Sequence, residues 1–122
     1  MSLDSDTALI RDYHSNTDRF MDRLAVLMSE LLPTNTKVTR QKAGLFRRTE
    51  TVTGITMTID NLVLTAQRQS GPPTFTLQRM ARGVVLRRES LNAQQWLDAL
   101  KTAIANQADA LSIDPSALAR LD

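Results

Sequence analysis

Histidine, clustered carboxylates and arginine pairs are the residues of this 122-residue chain that could do chemistry, and each calls for company that the sequence must supply. His14 is the single histidine. A nucleophilic triad would need a serine and an acid beside it, and a metal site would need further ligands. Ser15 and Asp18 lie close along the chain, but as helical neighbours they point mostly outward, so His14 reads as an exposed helix residue. Asp12, Asp18 and Asp22 suggest a metal cluster, yet Arg11, Arg19 and Arg23 interleave with them. That pattern reads as a solvated face with local ion pairs. Glu50 and Asp60 are the acids of the middle segment, and a two-carboxylate mechanism would require them to converge. The four glycines stand singly at 44, 54, 71 and 83, so no phosphate-cradling loop is present. With no cysteine, thiol catalysis, disulfides and Cys-ligated zinc are excluded. The sequence therefore predicts a protein that is not an enzyme and takes no cofactor or metal.

Arginine is where the sequence is unusual. Residues 1–36 hold three basic against six acidic side chains, residues 37–88 ten against two, and residues 89–122 two against five. An acidic–basic–acidic layout is a compositional signal for an anionic partner or for matching between segments. Arg40, Arg47, Arg48, Arg79, Arg82, Arg87 and Arg88 are the candidates for contact with an anion or a nucleic acid. Two features weigh against nucleic acid. Aromatic residues make up 4% of the chain, and adjacent arginines on a strand point to opposite faces, so Arg47–Arg48 and Arg87–Arg88 do not each build a one-sided patch. Both pairs read as strand-end charges.

The elements that must position these residues follow from periodicity. Ile10, Tyr13, Thr17, Phe20, Leu24, Leu27 and Leu31 recur at steps of three and four, which predicts one helix over 7–32, capped by Asp6 and stopped by Pro33. From 36 to 88 the composition turns to Thr, Val, Ile and Arg with alternating polarity, which predicts an antiparallel meander of four or five strands. Asp60–Asn61, the segment at 69–73 and Ala81–Arg82–Gly83 are its turns, and a hairpin near 42–44 closes an earlier pair. Val52 and Ile55 stand three apart, so a bulge or turn is expected at Thr53–Gly54.

The helix over 92–111 is announced by Asn92 as N-cap, Gln95 three residues on, and Leu91 with Trp96 as a hydrophobic staple. Trp96, Leu97, Leu100, Ile104 and Leu111 form its apolar stripe, which is expected to lie on the sheet with Ile55, Met57, Leu62 and Leu64. Asp114–Pro115 opens a short helix over 115–121. The fold class is thus α+β, in one domain: long helix, meander, helix on the sheet, short helix.

Two helices offer more apolar surface than one small sheet face needs, unless they cover two faces. The heptad spacing of Tyr13, Phe20, Leu24, Leu27 and Leu31 therefore predicts a homodimer through the first helix. The expected function is a non-catalytic binding or adaptor protein that partners itself and another protein, with a nucleic-acid-associated role as the alternative. An acidic N-terminal stretch without a basic and apolar leader, and the lack of a long apolar run, predict a cytoplasmic protein without a membrane partner.

Overall fold

In a computed structural model the chain is described over residues 16–42, 50–68, 71–111 and 113. Helix α1 (Thr17–Leu31) leads into strands β1 (Thr36–Lys42), β2 (Glu50–Ile59), β3 (Leu62–Gln67), β4 (Thr74–Ala81) and β5 (Val84–Leu91). Helix α2 (Ala93–Asn106) and a single turn, α3 (Ala108–Leu111), follow. The five strands form one antiparallel sheet in sequence order, an α+β meander with β1 and β5 as its edges.

The expected heptad run is interrupted immediately before α1. Asn16 is extended, with φ −157° and ψ 103°, and its side chain accepts from the Arg19 backbone N–H at 3.2 Å. A short amide at this position competes for the backbone and caps a helix rather than continuing one, so the expected run over 7–32 is broken at residue 16. Thr17, the polar exception in the heptad, is the first helical residue. The Asp6 cap, His14 and Tyr13 lie outside the described residues. At the other end the Leu32 N–H closes on the Met28 carbonyl, and Pro33 stops the helix. The Thr36 hydroxyl donates to the same carbonyl. Asn35 pins the connector by exchanging two hydrogen bonds with Thr58.

The alternation of apolar and hydroxyl residues sorts the sheet into two faces. Ile55, Met57, Ile59, Leu64, Ala66, Phe75 and Leu77 are buried on one of them. On the other, Lys37, Thr56, Thr65, Thr76 and Ser90 stand in register across all five strands and are half-buried or exposed. Both helices lie on the apolar face, α1 over β1 and β2, and α2 over β3, β4 and β5. Sharing one face is what consumes the apolar surface of two helices. Phe20, Leu24 and Met28 of α1 and Trp96, Leu100 and Ile104 of α2 are fully buried in one common core.

An aromatic line crosses that core. Phe20 meets Phe75 edge-on at 5.9 Å, and Phe75 meets Trp96 at 5.4 Å. Trp96 therefore packs on β4, while Ile55 and Met57, expected beside it, sit on the strand under α1. Its indole N–H donates to the Thr76 carbonyl at 3.1 Å, which satisfies the one polar atom that burial would otherwise strand.

The start of α2 matches its sequence signature. Asn92 accepts from the Gln95 N–H at 2.8 Å, and the Gln95 side chain accepts from the Asn92 N–H at 3.1 Å, a complete capping box. Its end differs from expectation: the helix breaks at Gln107, whose N–H bonds the Ile104 carbonyl, so 92–111 is a helix and a separate turn. The short helix expected over 115–121 lies outside the described residues.

Candidate functional site

Among the described residues, Glu50 and Asp60 do not converge. Glu50 opens β2 and Asp60 follows its last residue. At ~3.3 Å per residue their backbones stand roughly 30 Å apart, too far to share a substrate. Asp60 has φ 54° and turns the chain between β2 and β3. Asp18 pairs with Arg68 beyond the end of β3 and not with a helical neighbour, and Arg68 Nε also donates to the Gly71 carbonyl at 2.9 Å. That pair fastens the start of α1 to the β3–β4 connection. A polar hollow of about 540 Å³ lies on the hydroxyl side, where Gly54 leaves room beside Thr39, Thr56 and Thr65, with Arg68 at its rim.

The candidate arginines divide by position. Arg47 and Arg48 lie outside the described residues. Arg40 is exposed on β1, the first edge. Four strand spacings of ~4.8 Å separate that edge from β5, so Arg40 is remote from the remaining four. Arg79, Arg82, Arg87 and Arg88 gather on the β4–β5 hairpin and are all exposed. The Arg87–Arg88 pair is not at a strand end, as its sequence suggested, but in the middle of an edge strand.

Register places these four. Arg79 stands directly opposite Arg87 on the helix side of the sheet, and Gln78 stands opposite Arg88 on the hydroxyl side. Arg82 and Gly83 form the turn with φ 52° and 80°. Both values are in the left-handed region, where glycine is at ease and arginine is strained. Arg87 Nε bonds Glu89 Oε1 at 3.0 Å. Arg79, Arg82 and Arg88 have no acidic partner among the described residues.

A second feature shares the hairpin. Between Arg79 and Met80 the register slips, because Arg79 pairs with Arg87 while Met80 pairs with Val85. Leu86 is the extra residue, a bulge in the edge strand. The slip brings Val85 beside Met80, away from the helices, and leaves Val84 beside Ala81. Val84, Val85 and Leu86 are 60%, 46% and 67% exposed, three consecutive large apolar side chains in water. Sequence reading named the arginines but assigned these three to an ordinary strand. The signal was present: consecutive apolar residues cannot share one face of a strand, so at least one of them had to lie outside the core.

Of the residues expected to carry self-association, Tyr13 lies outside the described residues and the others pack against the chain's own core. Phe20 and Leu24 are fully buried and Leu27 nearly so, all against the chain's own sheet, and Leu31 packs at the core's margin. Val26, 53% exposed, is the large apolar side chain that α1 offers to solvent. No helix among the described residues is long and apolar enough to cross a membrane.

Comparison with protein-family models, with curated proteins and with solved structures finds no match for this chain.

Proposed function

We propose that this chain is a non-catalytic protein-binding module, an adaptor whose docking element is the β4–β5 hairpin. One observation carries the reading: β5, an edge strand among the described residues, exposes Val84, Val85 and Leu86 together, beside Arg79, Arg82, Arg87 and Arg88. Isolated exposed apolar residues are ordinary, but a contiguous group with a charged rim is the composition of an interaction patch. Arginine suits such a rim because its planar guanidinium binds carboxylates in a fork and loses little hydration. The helices support the reading by what they do with their apolar stripes, since both are buried on the sheet and neither competes as a docking face. Arginines on two faces of an edge strand also suit a protein better than a phosphate backbone, which rewards a one-sided basic surface.

Site-specific photo-crosslinking in the cell that makes the protein tests this. A photo-reactive residue at Leu86 is expected to yield a discrete protein adduct, and one at Val26 is not. Reversing Arg87 and Arg88 to Glu should lower the adduct roughly tenfold, the scale set by losing rim charges from a steered interface. An adduct of twice the chain mass would identify a second copy as a protein partner. Adducts with nucleic acid alone, or equal yields at the two positions, would refute the reading.

A further inference from the structure

Edge strands ordinarily carry charge to prevent unwanted pairing, and that role accounts for one arginine on β5. It does not account for three exposed apolar residues beside it, which invite pairing. Nor does it account for Arg79 standing directly opposite Arg87, a like-charge pair in which Glu89 bonds Arg87 and Arg79 has no ion pair among the described residues. Exposed apolar side chains and surplus positive charge on one hairpin call for a ligand that takes up both.

We propose that the occupant of this edge is an acidic extended segment of another protein, which joins the sheet as a sixth strand beside β5. The proposal rests on the reading of the hairpin as a protein-docking element and adds the chemistry of the partner. The outer backbone groups of β5 supply main-chain hydrogen bonds, the general basis of strand addition. Arg87 faces the helix side and Arg88 the hydroxyl side. Two consecutive acidic residues on the incoming strand therefore place one carboxylate on each face. The carboxylate on the helix side joins Glu89 there and neutralises the charge that Arg79 adds beside Arg87. Beyond the bulge, Val84, Val85 and Leu86 accept apolar side chains from the same segment. The preferred segment thus carries an acidic pair followed by apolar residues.

A second copy of β5 fits this edge less well. Two-fold antiparallel pairing centred on Arg87 or on Arg88, the middle of the strand, sets that arginine against its own copy. Nucleic acid lacks the apolar half of the match, and Phe75, the aromatic residue of β4, is buried and cannot stack on bases.

Selection of displayed random dodecapeptides on the full chain provides the probe. Enriched peptides are expected to hold adjacent Asp or Glu with neighbouring Val, Ile or Leu. A synthetic copy of one such peptide should bind at least tenfold more weakly to the Arg87→Glu/Arg88→Glu protein, and more weakly as salt rises. Amide exchange should slow along β5 on binding and stay unchanged along β1. If the double reversal does not fold, Arg87→Gln/Arg88→Gln replaces it, with the same direction expected. Enrichment without acidic preference, affinity indifferent to these variants, or protection on α1 in place of β5 would each overturn the proposal. A protein adduct at Leu86 whose docking segment is not acidic overturns it too while sparing the docking role of the hairpin, whereas no adduct at Leu86 removes both.

Discussion

Among the described residues the sheet contains two bulges, and the same backbone device serves opposite ends at its two sides. In β2 the extra residue is Thr53: Thr39 pairs with Gly54 and Arg40 with Val52. The slip restores alternation, so Val52 and Ile55, three apart in sequence, are both buried. Two polar groups of the extra residue are taken up within the fold. The Thr53 carbonyl accepts from the Arg68 N–H at 2.8 Å, and its hydroxyl donates to the Thr39 carbonyl at 3.2 Å. In β5 the extra residue is Leu86, and there the slip delivers three apolar side chains to solvent. One bulge completes the core and the other departs from it. The difference teaches that local irregularity is not itself a mark of function. What distinguishes a site is irregularity whose consequence does not stabilise the fold.

Trp96 ties the β4–β5 hairpin to the core from beneath and is expected to show the largest effect. Trp96→Ala should cost roughly 3–5 kcal/mol, read by chemical denaturation, because it removes the largest buried side chain of the described core together with its hydrogen bond to the Thr76 carbonyl. A cost below about 1 kcal/mol would mean that α2 does not anchor β4.

The bulges themselves give the sharper contrast. Val52→Ala strips buried methyl groups and should cost about 2 kcal/mol, from the transfer value per buried methylene plus a cavity term. Leu86→Ala should change stability by no more than about 0.5 kcal/mol, as an exposed substitution does, while lowering the yield of partner adducts. Equal stability losses at 52 and 86 would erase the distinction between them.

The smallest effect concerns room at the inner bulge. An added Cβ at Gly54 would meet the Thr39 Cβ at 3.5 Å, ordinary contact, and the backbone there is not left-handed. Gly54→Ala is therefore expected to stabilise by about 0.4–1 kcal/mol through the unfolded chain. At Gly83, with φ 80°, the same change should destabilise the hairpin. A melting comparison of the two variants checks the opposite signs.

Local chemistry was readable where a few neighbouring residues decide the outcome. Asn92, Gln95 and Trp96 announced the capped helix, the spacing of Val52 and Ile55 announced the inner bulge, and alternation announced the meander. The start of α1 was misread because the heptad pattern runs through Asn16, whose side chain prefers to cap. In the candidate site the arginines were legible by type and the hairpin by its Ala81–Arg82–Gly83 turn. Their meeting was not, because Arg79 and Arg87 become neighbours only through a register shifted by the Leu86 bulge.

By itself the sequence determined element types, their order and the α+β class, since periods of two and of 3.6 are properties of the chain alone. Only the tertiary structure decided that both helices share one face of the sheet, because that choice depends on the fit of Phe20, Phe75 and Trp96 across three elements. The same packing buries Phe20, Leu24 and Leu27 and, among the described residues, leaves the β5 edge free. Which apolar surface remains for a partner is a remainder after packing, and a remainder follows from the whole fold and not from any one segment of the chain.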